Sequence, residues 1–360
     1  MRGRLPILAV ALALTMVAVV ALAQPTYSSA HFDVYDRAGA GLAYAQSIAN
    51  ALESAYSALT GAGASLAPPC SGAKYNVTIT NLSGEGGQVM SSFTYDPSTG
   101  RIIKACISYI LMAAGLSGST LNHVAYHEMV HVAQASYYQY ISVVQSYPWY
   151  VEASAEGLSS ALSGVCGWEP WYFSYSLYSS NPYSYSDASI ECYAYGAFYY
   201  WLISSGTASV PDALSGSLSG SSVNSDWVNS RYVSFLLALA KGITMCGRSY
   251  SPSYQTATLT GNSWTATVSL NGLSAAYYRL SLPAPGTVTI TATGNVRSNL
   301  QLNQPFYVSN TSLIIAIVNP STSNVDTQVT VTYSPPLVAR VTGGVYRPLT
   351  GTLTLQLSIT

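Results

Sequence analysis

The sequence predicts an α+β fold, a small mixed sheet with helices, followed by an all-β, sandwich-like C-terminal domain. Three features point there. Between His31 and Ile110, short alternating runs are interleaved with one long helical stripe. From about Leu121 to Ala240 apolar residues recur every three to four positions. From about Ser253 the chain turns to short period-two runs separated by Gly, Asn, Pro and Ser. The expected division is residues 1–23 as an export signal, 24–250 as a first domain and 251–360 as a second.

The chain opens Met1-Arg-Gly-Arg4, followed by an apolar run from Leu5 to Ala23. A basic start, an apolar stretch and small residues before Gln24 form the pattern of a cleavable signal peptide. The run is also long enough to remain as an uncleaved N-terminal anchor. No second stretch of that length follows, so the expected location is secreted or at the extracellular surface, with no membrane span beyond the signal segment. Residues 31–36 alternate as a half-buried strand. Leu42, Ala45, Ile48, Ala49, Leu52, Ala55, Tyr56 and Leu59 make the stripe of a helix over 38–59, closed by Thr60-Gly61. Residues 75–81 alternate again, Gly84 to Gly87 reads as a loop, Asp96 to Gly100 as a turn, and 101–110 as the next strand.

Helices are expected over about 121–138, 150–162, 190–204 and 226–240, the last with an acidic N-cap and Lys241-Gly242 at its end. Residues 168–186 are too aromatic for a linker and read as an ordered loop facing the site. In the second domain, strands fall over 254–259, 265–270, 277–282, 287–293, 313–318 and 328–333, with strand-like alternation continuing over 337–360.

Charge narrows the function classes. Lys and Arg number 13 and Asp and Glu 14, for a net charge of −1. That leaves no basic footprint for nucleic acid and no polybasic membrane patch. Thirty Tyr accompany abundant Ser, Thr and Gly, so hydroxyls and amides solvate the surface. Such a surface loses little when carboxylates protonate, which suits an acidic or otherwise harsh extracellular setting. Cys70, Cys106, Cys166, Cys192 and Cys246 include no C-x-x-C pair, which argues against a zinc knuckle or a thioredoxin-like motif. They allow up to two disulfides with one cysteine left over. Sequons begin at Asn76, Asn81 and Asn310.

The chemistry gathers in His127-Glu128-Met129-Val130-His131. Histidines four apart on a helix reach one cation from the same side. Glu128 beside them can take the proton of an attacking water. With only four His and seven Glu in the chain, random order produces this motif about 0.001 times. A catalytic zinc needs three protein ligands and an open position. The next residues, Val132-Ala-Gln-Ala-Ser-Tyr137, carry no third His. Glu152 lies 21 residues beyond His131, in Trp149-Tyr-Val-Glu152-Ala-Ser-Ala-Glu156. An antiparallel return helix brings its carboxylate to the metal, expected to be Zn2+. Glu156, one turn later on the same face, can accept a hydrogen bond from a ligating imidazole. The reverse assignment, Glu156 as ligand, stays open. His123, one turn before His127, reads as a helix-surface or packing residue, and His31 as a strand residue.

This segment resembles the gluzincin zinc metallopeptidases, including thermolysin-like and aminopeptidase-N-like families. Those carry H-E-x-x-H and, about twenty residues later, Trp-x-x-Glu-(Gly/Ala)-x-Ala, as in Trp149 to Ala155. The resemblance extends back to His31-Phe-Asp-Val-Tyr35 and covers about residues 30–205. It implies a zincin-like catalytic domain and peptide-bond hydrolysis on a protein or peptide substrate. His127, His131 and Glu152 would be ligands, Glu128 the general base and Glu156 the outer carboxylate. It also implies that the edge strand before the first active-site helix binds extended substrate, which maps to residues 102–109 and to Ile102, Ile103, Lys104 and Ala105. The Tyr of Tyr193-Ala-Tyr-Gly196 would stabilise the oxyanion, with Tyr195, Tyr199 and Tyr200 as competitors.

Ala153 stands where Gly is usual after the ligand Glu. A Gly-x-Met-Glu-Asn strand, which binds a substrate amine, is absent, so the resemblance implies an endopeptidase. The β-rich tail would be an accessory module. The alternative is an inactive or non-peptidase zincin-fold protein serving cell-surface binding or assembly; the sequence keeps all four residues that such descendants tend to lose. The aromatic clusters at 168–178 and 183–185 read as packing, with a groove for apolar side chains as the sharper alternative.

Overall fold

The computed structural model describes residues 24–84, 86–185, 189–336, 339–346 and 353–359. The export signal expected over 1–23 lies outside them. The chain is mixed α and β, with several sheets. It divides into two units. The first runs to Leu177 and adds Pro182–Arg231 and Thr244–Tyr250; the second comprises Tyr178–Asn181, Tyr232–Ile243 and the chain from Ser251 onward. Among the described residues no helix is long and apolar enough to cross a membrane.

In chain order the first unit begins with β1 (Tyr27–Ser28), β2 (Phe32–Asp36), α1 (Leu42–Gly61), β3 (Tyr75–Thr80), β4 (Gly87–Tyr95) and β5 (Ile102–Ala113). Alternation sets the sheet: Phe32, Val34, Tyr75, Val77 and Ile79 are buried and their neighbours are not. The strand order is β1-β2-β3-β5-β4, with β2, β3 and β5 parallel and β1 and β4 antiparallel at the edges. The parallel pair β2 and β3 requires a crossover, which α1 supplies.

Strand β4 departs from expectation. The sequence suggests a loop at Gly84 to Gly87 and no strand before Asp96, yet residues 87–95 pair along β5. Ile102, Lys104 and Ala105 sit opposite Tyr95, Thr94 and Phe93, so that side of β5 is covered and the edge belongs to β4. Gly and Ser dilute the apolar signal of β4, and two register shifts interrupt its period.

Then come α2 (Gly118–Tyr137), α3 (Ile141–Ser146), α4 (Pro148–Ser163), α5 (Trp171–Ser174), α6 (Ile190–Ala194), α7 (Gly196–Ser204), α8 (Val210–Ser215), β6 (Leu218–Ser219), β7 (Ser222–Val223), α9 (Ser225–Leu239), β8 (Ile243–Met245) and β9 (Arg248–Tyr250). Pro148 at the start of α4 is pre-set for helix, and Gly164 ends it in the left-handed conformation with φ 74°. The single helix expected over 190–204 is broken at Tyr195. There Gly157 of α4 meets the carbonyl of Gly196 so closely that neither position has room for a side chain. Cys70 is bonded to Cys106 and Cys166 to Cys246, while Cys192 is buried outside both pairs.

The second unit is a β-sandwich built from β10 (Gln255–Thr258), β11 (Ser263–Leu270), β12 (Ala275–Ser281), β13 (Gly286–Ala292), β14 (Arg297–Ser298), β15 (Pro305–Val308), β16 (Ser312–Val318) and β17 (Val325–Ser334). Its two sheets run β10-β12-β16-β14 and β11-β17-β13-β15. Inward residues such as Val268, Leu280, Ile290, Ile315 and Val331 form one apolar core, and outward ones are mostly Ser and Thr. The expected strands all have counterparts; the short β14 and β15 carry too little pattern to be seen in advance. Beyond them β18 (Ala339–Tyr346) and β19 (Leu353–Ile359) pair with each other.

Candidate metal centre

Helices α2 and α4 carry the site. One turn of α2 separates His127 from His131, and their Nε2 atoms lie 3.1 Å apart. Helix α4 returns alongside and brings Glu152 Oε2 to 3.3 Å from His127 Nε2 and 3.6 Å from His131 Nε2. A tetrahedral ion holding such ligands at 2.0–2.1 Å sets them about 3.3 Å apart. The three atoms thus have the spacing of one face of a tetrahedron.

The hydrogen bonds behind the imidazoles point the same way. Gln134 Nε2 donates to the Val151 carbonyl at 2.7 Å and to Ser154 Oγ at 2.8 Å, which turns its Oε1 toward His131 Nδ1 at 2.7 Å. The amide oxygen only accepts, so His131 Nδ1 carries a proton. His127 Nδ1 lies 3.1 Å from Glu156 Oε2 in the same relation. In the neutral imidazoles both Nε2 atoms are then lone pairs, converging on a carboxylate oxygen that is buried and makes no well-formed hydrogen bond. Three acceptors in that arrangement repel unless a cation lies between them. The donor set, two imidazoles and one carboxylate with backing acceptors, fits zinc.

Electrostatics agree. Burial opposes charge on His127, but Glu152, Glu156 and Glu128 outweigh it and raise its proton affinity well above the usual range. His131 is raised as well, with Glu152 and Glu128 outweighing the cost of its burial. Burial also opposes charge on Glu152, yet the two imidazoles hold its carboxyl well below the ordinary value. The site therefore draws positive charge. Glu156, 1% exposed, sits at about 2 because His123 and His127 overcome the cost of its burial. Expected as packing, His123 instead places Nε2 3.1 Å from Glu156 Oε2 and Nδ1 3.1 Å from the Val165 carbonyl. His123, His127 and Glu156 also form a second cluster of metal-ligating atom types. Its contacts are already satisfied as hydrogen bonds.

Glu128 is 4% exposed. The backbone of β4 passes so close that a Cβ on Gly87 would lie 2.7 Å from its Oε1. Tyr193 of α6 stacks on His127, with ring centroids 5.8 Å apart. Burial and the surrounding carboxylates raise its hydroxyl, so it keeps its proton. Its competitors are committed elsewhere: Tyr195 to the Leu177 carbonyl, Tyr199 to Ser217 and Tyr200 to the Cys246 amide.

These groups open into a cavity of about 1260 Å³. Gly86 to Ser91 and Phe93 of β4 line it, as do Trp168 and Trp171 from the segment expected to face the site. Ile102, Ile103, Lys104 and Ala105 do not line it. The strand beside the cavity is β4; residues 102–105, expected as substrate contacts, lie on the neighbouring strand β5. Glu169 was not anticipated. It is fully buried, accepts the Gly167 N–H at 2.9 Å, and burial together with Glu156 raises its carboxyl well above the usual range.

No family model matches the sequence, and no curated protein matches it. Among solved structures, that of Aeromonas hydrophila PliG, a periplasmic lysozyme inhibitor of g-type lysozyme, is similar over 22% of this chain and 97% of its own, at 13% identity and a TM-score of 0.19. A likeness that slight says nothing of fold or function here.

Proposed function

We propose that the chain is a zinc-dependent endopeptidase of the gluzincin type with a zincin-like first unit, acting outside the cytoplasm on protein or peptide. The observation that carries this is the convergence of His127 Nε2, His131 Nε2 and Glu152 Oε2 to within 3.1–3.6 Å, with Glu128 beside them and Tyr193 stacked above His127. His127, His131 and Glu152 would hold the ion; when bound it supplies Lewis acidity and makes water a nucleophile near neutral pH.

The chain's own residues do the rest. Glu128 takes a proton from the attacking water and returns it to the leaving amine. Tyr193, which retains its hydroxyl proton, donates to the carbonyl oxygen as charge develops there. The free edge of β4 aligns an extended peptide through backbone hydrogen bonds. Among the described residues no Lys, Arg or Asp lines the cavity. Cleavage within a chain is the proposed mode, because the strand motif that binds a substrate amine is absent from the sequence. Two disulfides suit an oxidising compartment.

Hydrolysis of casein and of a broad peptide library by wild type and Glu128→Gln tests this. Wild type is expected to cleave internal bonds, with cleavage abolished by chelation and restored by zinc, and Glu128→Gln is expected to lose at least about 10³-fold. Equal activity in the two proteins would remove Glu128 from the chemistry. No cleavage by zinc-loaded wild type would leave a metal site without peptidase function.

A further inference from the structure

Three nitrogens surround the carboxylate of Glu156. Trp168 N–H donates to Oε1 at 2.6 Å, while His127 Nδ1 and His123 Nε2 each lie 3.1 Å from Oε2. The other nitrogen of His123 faces the Val165 carbonyl at 3.1 Å. That oxygen only accepts, so Nδ1 carries a proton. Anchored there, the ring turns its Nε2 toward Glu156 Oε2. His123 thus bridges the Val165 carbonyl and the Glu156 carboxylate.

Glu128, Glu152 and Glu156 border the same cavity, and no Lys or Arg among the described residues does. A buried carboxylate without a counter-charge is strongly disfavoured. His123 gives the Glu156 carboxylate a second imidazole partner beside His127, and the segment after α4 supports both ends of the pair through the Val165 carbonyl and the Trp168 amide. Cys166, between them, is tied to Cys246.

Resting on the metal-centre reading above, we infer that His123 is a positioning residue for the metal ligand His127, acting through Glu156. By orienting the Glu156 carboxylate, it keeps Oε2 facing His127 Nδ1. That contact holds His127 in the tautomer whose Nε2 is open toward His131 and Glu152. Outer contacts of this kind typically change metal affinity by about 10- to 100-fold.

The test is zinc affinity by competition with a chromophoric chelator on the full chain. The proteins are wild type, His123→Ala, His123→Gln, Glu156→Gln and the double variant His123→Ala/Glu156→Gln, with visible absorption of the cobalt-substituted forms as a second readout. Wild type is expected to bind one equivalent, and His123→Ala to bind roughly 10- to 100-fold more weakly with a shifted cobalt spectrum. His123→Gln, whose amide still donates to Glu156, recovers part of the loss. The double variant binds no more weakly than Glu156→Gln alone, because the two residues act in series. Thermal unfolding of the metal-free proteins shows whether each folds; if His123→Ala does not, His123→Gln carries the comparison. Affinity unchanged in the His123 variants, or losses that multiply in the double variant, would overturn the role of His123 while leaving the metal centre standing. Absence of zinc binding by wild type would remove the centre itself and His123's role with it.

Discussion

Glu169 and Glu156 show how much of this site is decided residue by residue, through space. Glu128, Glu152 and the two motif histidines can be read from spacing, because a helix repeats every 3.6 residues and fixes which side chains share a face. Gln134, His123 and Glu169 cannot. Their roles depend on the Val151 and Val165 carbonyls and the Gly167 amide, which the sequence does not place near them. Glu169 makes a prediction of its own. Its folded pKa is raised, so its contribution to stability is fully present below the unfolded value of about 4.3 and is lost as pH rises toward the folded one. Glu169→Gln removes that loss. Urea unfolding of the metal-free proteins should show the variant more stable by about 1–2 kcal/mol at pH 7 and nearly unchanged at pH 4. A variant less stable at both pH values would mean that Glu169 is held by bonds that only its carboxyl can make.

At the scale of elements, the helices and the sandwich strands are legible because each buries one face with a single period. Strand β4 is not, because Gly86 and Gly87 read as a loop and its bulges break alternation. Yet Gly87 is what lets an edge strand pass against Glu128, while Gly86 packs as closely on Val124. A Cβ at Gly87 would lie 2.7 Å from both Cγ and Oε1 of Glu128, so the carboxylate or the strand must move. Gly87→Ala is therefore expected to lower kcat/KM by about 10²-fold while zinc content stays that of wild type. Steady-state kinetics on a peptide that wild type cleaves checks this. Unaltered kinetics would show that Glu128 has slack, and that the strand's approach does not set its position.

For the whole molecule, the division into a mixed α/β part and a β-sandwich follows from the change of period near residue 253, and two disulfides suit an oxidising compartment. The cysteine pairing was not legible: residues 36 and 80 apart in sequence meet only once the chain has folded. Poverty in charge bears on the metal as well. With no Lys or Arg beside the cavity among the described residues, a cation between His127, His131 and Glu152 is the simplest balance for the carboxylates gathered there. Protons compete for the same place, since those carboxylates raise the proton affinity of His127, so a metal at the proposed centre is expected to be held more tightly as pH rises. The most direct measurement is therefore zinc per chain by elemental analysis after dialysis at about pH 8, above the ordinary histidine range, on wild type and His131→Ala. One zinc per wild-type chain and none in the variant is the predicted result. A wild-type chain without zinc, or equal zinc in both proteins, would contradict a metal centre built on these residues.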